Sequence, residues 1–345
     1  MHWDLFCRVV DNFGDIGVCW RLAADLGARG QPVRLWVDDA SALAWMAPRG
    51  APGVELRRWA EAEQAMPGAV VIEAFGCDPP PAFVARMAQQ QTPPLWINLE
   101  YLSAEAYVRR SHGLRSPQLA GPAKGLDKWF FYPGFEPGTG GLIREPGLID
   151  ARRCFDGPAW LRSRGWAPQA GERVSSLFCY PGAPLAALLR TLAERPTLLL
   201  LTPGAAAQAA VQAEPPLRCI QLPWLAQPDY DRLLWACDLN FVRGEDSLVR
   251  AMWAGAPFVW QIYPQHDAAH AAKLQALLDR MLQQVDSATA SGLRALWLAW
   301  NGLAPWPAAL PPGDAWQALA SRWRAQLLAQ PDLSTQLLRF VAEKR

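Results

Sequence analysis

Leu5-Phe6-Cys7-Arg8-Val9-Val10-Asp11-Asn12-Phe13-Gly14-Asp15-Ile16-Gly17-Val18-Cys19-Trp20 is the stretch that decides the fold. Leu5–Val10 is short and almost continuously apolar, which suits a strand covered on both faces. Val18–Ala28 carries helical spacing and closes at Gly30, and residues 11–17 make the turn between them. A strand feeding a helix through a glycine-bearing turn is the opening of a parallel α/β sheet. The rhythm continues outward with strands at Val33–Val37, Val54–Trp59, Val70–Phe75 and Leu95–Leu99. Helices fall between them at Ser41–Met46 and after Pro81.

From Tyr101 to Pro168 the pattern loosens, leaving short helical pieces at Glu105–Arg110 and Ala159–Arg164. The segment Pro133–Gly147, PGFEPGTGGLIREPG, reads as a long ordered loop leading to an inter-domain connection. After Gly171 the alternation restarts. Strands are expected at Val174–Cys179, Thr197–Leu201, Arg218–Leu222, Leu239–Val242 and Phe258–Tyr263. Helices are expected at Leu185–Ala193, Tyr230–Ala236 and Ser247–Trp253, and long helices run on to the C-terminus. The expected organisation is two Rossmann-like domains facing a cleft. The first spans 1–155 and the second 156–320. A C-terminal helix within 321–345 is placed to pack back on the first domain. In such sheets ligands lie beyond the carboxyl ends of the strands, so functional residues belong in the loops that follow them.

The 345 residues carry 33 Lys+Arg against 32 Asp+Glu, a formal charge of +1, which gives no field for nucleic acid or an anionic membrane. A composition 51% hydrophobic and 19% charged is that of a folded chain. The seven cysteines are scattered and form no CxxC pair, so neither a zinc site nor a disulfide framework is expected. The N-terminus lacks a basic segment before its apolar run, and the stretch Leu198–Ala210 is broken by Pro203, Gly204 and Gln208. No leader, no membrane span and a cytoplasmic location are therefore expected.

Three clusters could carry chemistry. Asp11 and Asp15 lie four residues apart in the first turn, where Gly14 and Gly17 allow a close backbone approach. Two carboxylates would repel a pyrophosphate, but they suit a general base or a cationic ligand. They equally suit a solvated turn residue and a helix cap. Arg243-Gly244-Glu245-Asp246-Ser247 follows a strand and opens a helix. It brings amides, a hydroxyl and a guanidinium to one point that could grip a phosphate, or it is a capped helix with a surface ion pair. Phe178, Tyr180, Trp224 and Gln227 follow later strands and could sandwich a planar base and read its edge. With 18 Trp in the chain, core packing is the competing use for such rings. His266 and His270 stand four apart with no HExxH motif or third ligand, so no metal site is expected.

In this order, the motifs resemble one family, the bacterial EarP protein-arginine rhamnosyltransferases that modify translation elongation factor P. The resemblance rests on the Asp11–Gly17 turn with Val18-Cys19-Trp20-Arg21-Leu22-Ala23, and on Leu35-Trp36-Val37-Asp38-Asp39. It continues through Glu100-Tyr101-Leu102-Ser103-Ala104-Glu105 and Gly140-Gly141-Leu142-Ile143-Arg144-Glu145. It ends with Arg243-Gly244-Glu245-Asp246-Ser247 and Tyr263-Pro264-Gln265, and so spans nearly the whole chain.

The resemblance implies a GT-B glycosyltransferase that moves L-rhamnose from TDP-β-L-rhamnose, with inversion, to an arginine of elongation factor P. The modified factor would then rescue stalled polyproline synthesis. No cofactor and no metal are implied. The matching catalytic set is Asp15 as general base, Asp11 in support, and Glu245. Phe178, Tyr180, Trp224 and Gln227 match the thymidine pocket, and Arg243, Glu245, Asp246 and Ser247 match the diphosphate and sugar site. Asn12, Phe13 and Gly14 join the nucleotide-sugar-binding set. Two other readings remain open at this point. One is a nicotinamide-dependent oxidoreductase using Gly14, Gly17 and Asp38. The other is a non-catalytic partner that shields elongation factor P.

Overall fold

A computed structural model describes residues 2–11, 13–264 and 269–345. The chain divides into two units, Met1–Pro146 with Ala329–Arg345, and Gly147–Leu328. The first unit runs β1 (Trp3–Cys7), α1 (Gly14–Ala28), β2 (Val33–Val37), α2 (Leu43–Met46), β3 (Val54–Arg58) and β4 (Val70–Ala74). It continues with α3 (Pro81–Gln89), β5 (Leu95–Leu99), α4 (Tyr107–Ser111), β6 (Arg115–Pro117) and β7 (Asp127–Phe131). The second unit opens with α5 (Leu148–Arg153), α6 (Gly157–Ser163), β8 (Arg173–Leu177), α7 (Leu185–Leu192), β9 (Thr197–Leu201), α8 (Ala209–Gln212) and β10 (Leu217–Gln221). It closes with α9 (Gln227–Ala236), β11 (Leu239–Arg243), α10 (Gly244–Ala254), β12 (Phe258–Gln261), α11 (Ala269–Met281), α12 (Ser287–Trp300) and α13 (Gly313–Leu328). The last helix, α14 (Leu333–Lys344), belongs to the first unit.

The first sheet has strand order β3-β2-β1-β4-β5-β7-β6, parallel throughout except for the antiparallel pair β6–β7. Successive side chains of a strand point to opposite faces, and here both faces are covered. Leu5, Leu35, Ile72 and Ile97 pack with Leu22 and Leu26 of α1 and with Leu337 and Phe340 of α14. Phe6, Trp36, Val71 and Trp96 pack on the other face with Phe83 and Met87 of α3. That two-sided burial is why the strands read as continuous apolar runs. The one acid inside β1, Asp4, is buried and fully engaged. It accepts from Arg34 at 2.7 and 2.8 Å, from Trp36 Nε1 at 2.8 Å and from Gly68 N.

The second sheet is all parallel, in the order β10-β9-β8-β11-β12. Both sheets reverse their direction of growth once, between β1 and β4 in the first and between β8 and β11 in the second. The loops after those four strands are where the fold offers a crevice for ligands.

Two expectations need correction. The region 101–168 is not merely a loop and short helices, because it contains β6 and β7, with β7 pairing on β5. The units also separate at Pro146/Gly147 and Leu328/Ala329, whereas the sequence suggests 155/156 and 320/321. Arg152 of α5 donates to Ala254 O at 3.3 Å, which ties residues just after 146 to the second unit. α13 runs unbroken to Leu328, and its Arg324 donates to the same carbonyl at 3.1 Å.

Candidate active site

The first unit's crevice is built by the turn after β1. Phe13 sits in the left-handed region (φ 76°), a conformation that costs a non-glycine residue about 1–3 kcal/mol. Its ring is fixed edge-on against Trp45 at 5.2 Å. This reversal lets Gly14 N donate to Asp11 O at 3.1 Å and starts α1 at once, four residues before the Val18 that the apolar spacing suggests. Gly14 is required there, because a Cβ would overlap the Asp11 carboxylate.

Asp15 then lies in the first turn of α1, only 3% exposed. Its Oδ2 accepts from Val10 N and Asp11 N, each at 2.9 Å. Burial lifts its pKa above the ordinary aspartate value; the two amide bonds oppose that rise and the nearby Asp38 adds to it. Asp11 is also buried, so the turn brings the two expected carboxylates together in a water-poor place. Asn12 lies outside the described residues.

Across the switch point, the loop after β4 holds two more non-glycine residues in left-handed backbone, Phe75 (φ 60°) and Asp78 (φ 43°). Phe75 stacks on Tyr101, which follows β5, with centroids 4.3 Å apart and planes 10° from parallel. Sequence reasoning passed over this loop, although Phe75-Gly76-Cys77-Asp78-Pro79-Pro80-Pro81 carries a turn signal directly after a strand.

In the second unit the loops after β8 and β11 bring Phe178, Tyr180 and Arg243 together. The Arg243 guanidinium lies 4.4 Å from both ring centroids. Tyr180 is held from both sides: its N–H donates to Gln261 Oε1 at 2.8 Å and its ring meets Tyr263 edge-on at 5.5 Å. Gln261 and Tyr230, whose ring meets Phe178 edge-on at 5.9 Å, complete the cluster and were absent from the expected set. α10 opens on Gly244 at φ 66°, which favours glycine, and Ser247 Oγ donates to Arg243 O at 2.5 Å. Trp260 Nε1 donates to Gly244 O at 2.9 Å and fixes this helix start on the sheet. Glu245 faces Lys273 Nζ at 3.7 Å.

Gln227 opens α9 and donates to Asp246 Oδ2 of α10 at 3.3 Å. One turn deeper, Arg250 grips Asp231 through two bonds of 2.9 and 2.7 Å. Trp224 stands 42% exposed on the loop before α9. Each unit thus gathers its own share of the expected residues, an acidic share in the first and an aromatic and cationic share in the second. His266 and Gln265 fall outside the described residues. Among those described, no group of three His, Cys, Asp or Glu side chains could hold a metal ion, and no helix is long and apolar enough to cross a membrane.

Comparison with known proteins identifies the family. Residues 3–342 match the model of the family described as elongation factor P (EF-P) rhamnosyltransferase EarP. A protein-arginine rhamnosyltransferase of Pseudomonas aeruginosa is 44% identical over 375 aligned positions, covering 99% of both chains. One from Neisseria meningitidis is 36% identical, covering 98% of this chain and 96% of its own. A solved structure described as the structural basis for EarP-mediated arginine glycosylation of translation elongation factor EF-P superposes with a TM-score of 0.67 at 30% identity, over 100% of this chain and 99% of its own. The more distant glycosyltransferase WaaG, at 12% identity and a TM-score of 0.50, shares the fold over 99% of this chain and 98% of its own. The chain therefore belongs to the EarP family and is a glycosyltransferase of GT-B fold.

Proposed function

We propose that this protein transfers L-rhamnose from TDP-β-L-rhamnose to one arginine side chain of elongation factor P, inverting the anomeric centre. The observation that carries the reading is Asp15, a buried carboxylate whose pKa is raised, at the carboxyl end of β1. The acceptor arginine is a guanidinium with a pKa above about 12. Asp11 and Asp15 attract that cation and hold its charge on the nitrogens that do not attack. The remaining nitrogen forms a bond to rhamnose C1 while the bond from C1 to the diphosphate oxygen breaks, and its electron pair leaves with TDP. The nitrogen's proton passes to Asp15, whose raised pKa favours receiving it.

The leaving TDP gains negative charge. Arg243 and the first amides of α10 are suited to stabilise it, and Phe178, Tyr180, Trp224 and Gln227 are suited to hold the base. Rescue of stalled polyproline synthesis would follow from the modified acceptor. The deciding experiment is the intact mass of elongation factor P after incubation with this protein and TDP-β-L-rhamnose. A gain of one deoxyhexose on a single arginine is expected. No gain while TDP still binds would reopen donor and acceptor.

A further inference from the structure

Asp38 stands at the carboxyl end of β2, exposed to solvent and outside the set of residues assigned above to either half-site. β1 and β2 pair in parallel register with Cys7 opposite Val37, so the residues following each strand are neighbours. Asp38 Oδ1 accepts from Val9 N at 2.9 Å and from its neighbour Asp39 N at 2.9 Å. The next two amides, Val10 N and Asp11 N, both donate to Asp15 Oδ2. Three successive N–H groups just past the end of β1 are therefore gathered by two carboxylates, one from β2 and one from α1. The first of these bonds fixes the direction of the peptide plane that leads into the other two.

We propose that Asp38 is a positioning residue for Asp15: by anchoring Val9 N–H it aims the amides of residues 10 and 11 at the Asp15 carboxylate. The proposal rests on Asp15 being the general base. Among the described residues, Asp38 just after β2 and Cys19 further along α1 act on Asp15 electrostatically, and Asp11 adjoins it through its amide. The Cys19 thiol is kept neutral because burial raises its pKa well above the ordinary value. Asp38 then acts on Asp15 in two opposing ways. Its negative charge raises the proton affinity of Asp15, whereas the amides it aims lower that affinity.

The two effects separate in two variants. Asp38→Asn keeps an oxygen for Val9 N–H and removes the charge. Asp15 then loses its proton more readily, and the acid limb of the pH–rate profile moves to lower pH. Asp38→Ala removes the anchor and loosens both amides. Both variants lack the charge, so the anchor is read against the Asn variant. With the amides loosened, Asp15 holds its proton more tightly than in Asp38→Asn and the acid limb lies at higher pH than in that variant, while kcat falls by about tenfold or more below the natural protein and the donor KM stays unchanged. Recovery of most of that kcat in the Asn variant identifies the anchor as the cause.

An acid limb of the Ala variant no higher than that of the Asn variant, or an Ala variant with undiminished kcat, would overturn the proposal. Because Asp38 is exposed, neither change opens a cavity, and thermal melts verify that both variants fold. The underlying reading fails differently: an Asp15→Asn variant that turns over at the natural rate removes Asp15 as base whatever the Asp38 variants do.

Discussion

Asp15 is a carboxylate in opposition to its own fold. Burial disfavours its charge, and the amides of Val10 and Asp11 offset part of the cost. A group whose folded pKa is raised binds its proton more tightly in the folded state than in the unfolded chain. Its contribution to stability is therefore favourable at low pH and is lost as pH rises from the unfolded carboxylate value, about 4, through the folded one. Asp15→Asn should then melt no lower than the natural protein at pH 7, and should still bind TDP-rhamnose. Its transfer rate should fall by about 10²–10⁴-fold, the usual weight of a general base. A calorimetric melt and a single-turnover assay check both halves. Gly14→Ala is the complementary case: the added methyl displaces the Asp11 carboxylate. A loss of about 1–3 kcal/mol in a denaturant titration, with a large fall in turnover, is expected. Both residues stand out in the sequence, since a glycine and two acids in one short turn are a local signal. The link from Asp38 to that turn does not, because its bond to Val9 spans 29 residues of chain and exists only once β1 and β2 have paired.

Among the elements, α9 and α10 show how the fold holds a polar site rigid. Gln227 and Asp231 lie four apart on one helix, Asp246 and Arg250 four apart on the other, so each pair falls on one face of its helix. The shallow layer, Gln227 with Asp246, lies beside the proposed donor pocket, and the deep layer, Asp231 with Arg250, is a buried ion pair. Arg250→Ala leaves the Asp231 charge stranded and should cost about 3–5 kcal/mol by chemical denaturation. Asp246→Ala should weaken TDP binding, measured by calorimetry, while barely changing the melt. The ion pair could not be read from the sequence, since it depends on which faces of two helices meet. The missed strands β6 and β7 have another cause. Arg115–Pro117 has three residues, two of them exposed, and Asp127–Phe131 begins with Asp127 and Lys128, so neither shows the unbroken apolar run of a central strand. By contrast, Val33–Val37, Leu95–Leu99 and Thr197–Leu201 are found where the sequence places them, because burial on both faces leaves a composition that a single sequence displays.

For the whole molecule, the first unit is discontinuous in sequence whereas the second is one continuous stretch. The last seventeen residues, 329–345, complete the first unit, and they do so through several independent contacts. Phe340 packs against Trp129 and Phe131 with centroids 5.9 and 5.6 Å apart. Arg29, which caps α1, reaches Asp332 and Thr335, each at 2.8 Å. Leu333 N donates to Leu142 O at 2.9 Å, beside Gly141, where φ of 70° and the closeness of Pro331 O leave no room for a side chain. α1 is the helix that carries Asp15, and α14 packs with it, so α14 braces the helix that holds the acidic half-site. Phe340→Ala alone should cost the first unit about 3–5 kcal/mol. Ending the chain at Leu328 removes the whole brace together with two partners of Arg29, Asp332 and Thr335. The shortened protein should then bind TDP with an affinity close to that of the full chain, because the residues proposed to hold the base and the diphosphate, Phe178, Tyr180, Trp224, Gln227 and Arg243, lie in the continuous unit. It should form no rhamnosylated product, and a melt should show the first unit unfolding at a lower temperature than in the full chain. A truncated chain that transfers rhamnose normally would show that α14 is dispensable for holding Asp15, and loss of TDP binding would show that the second unit depends on the first.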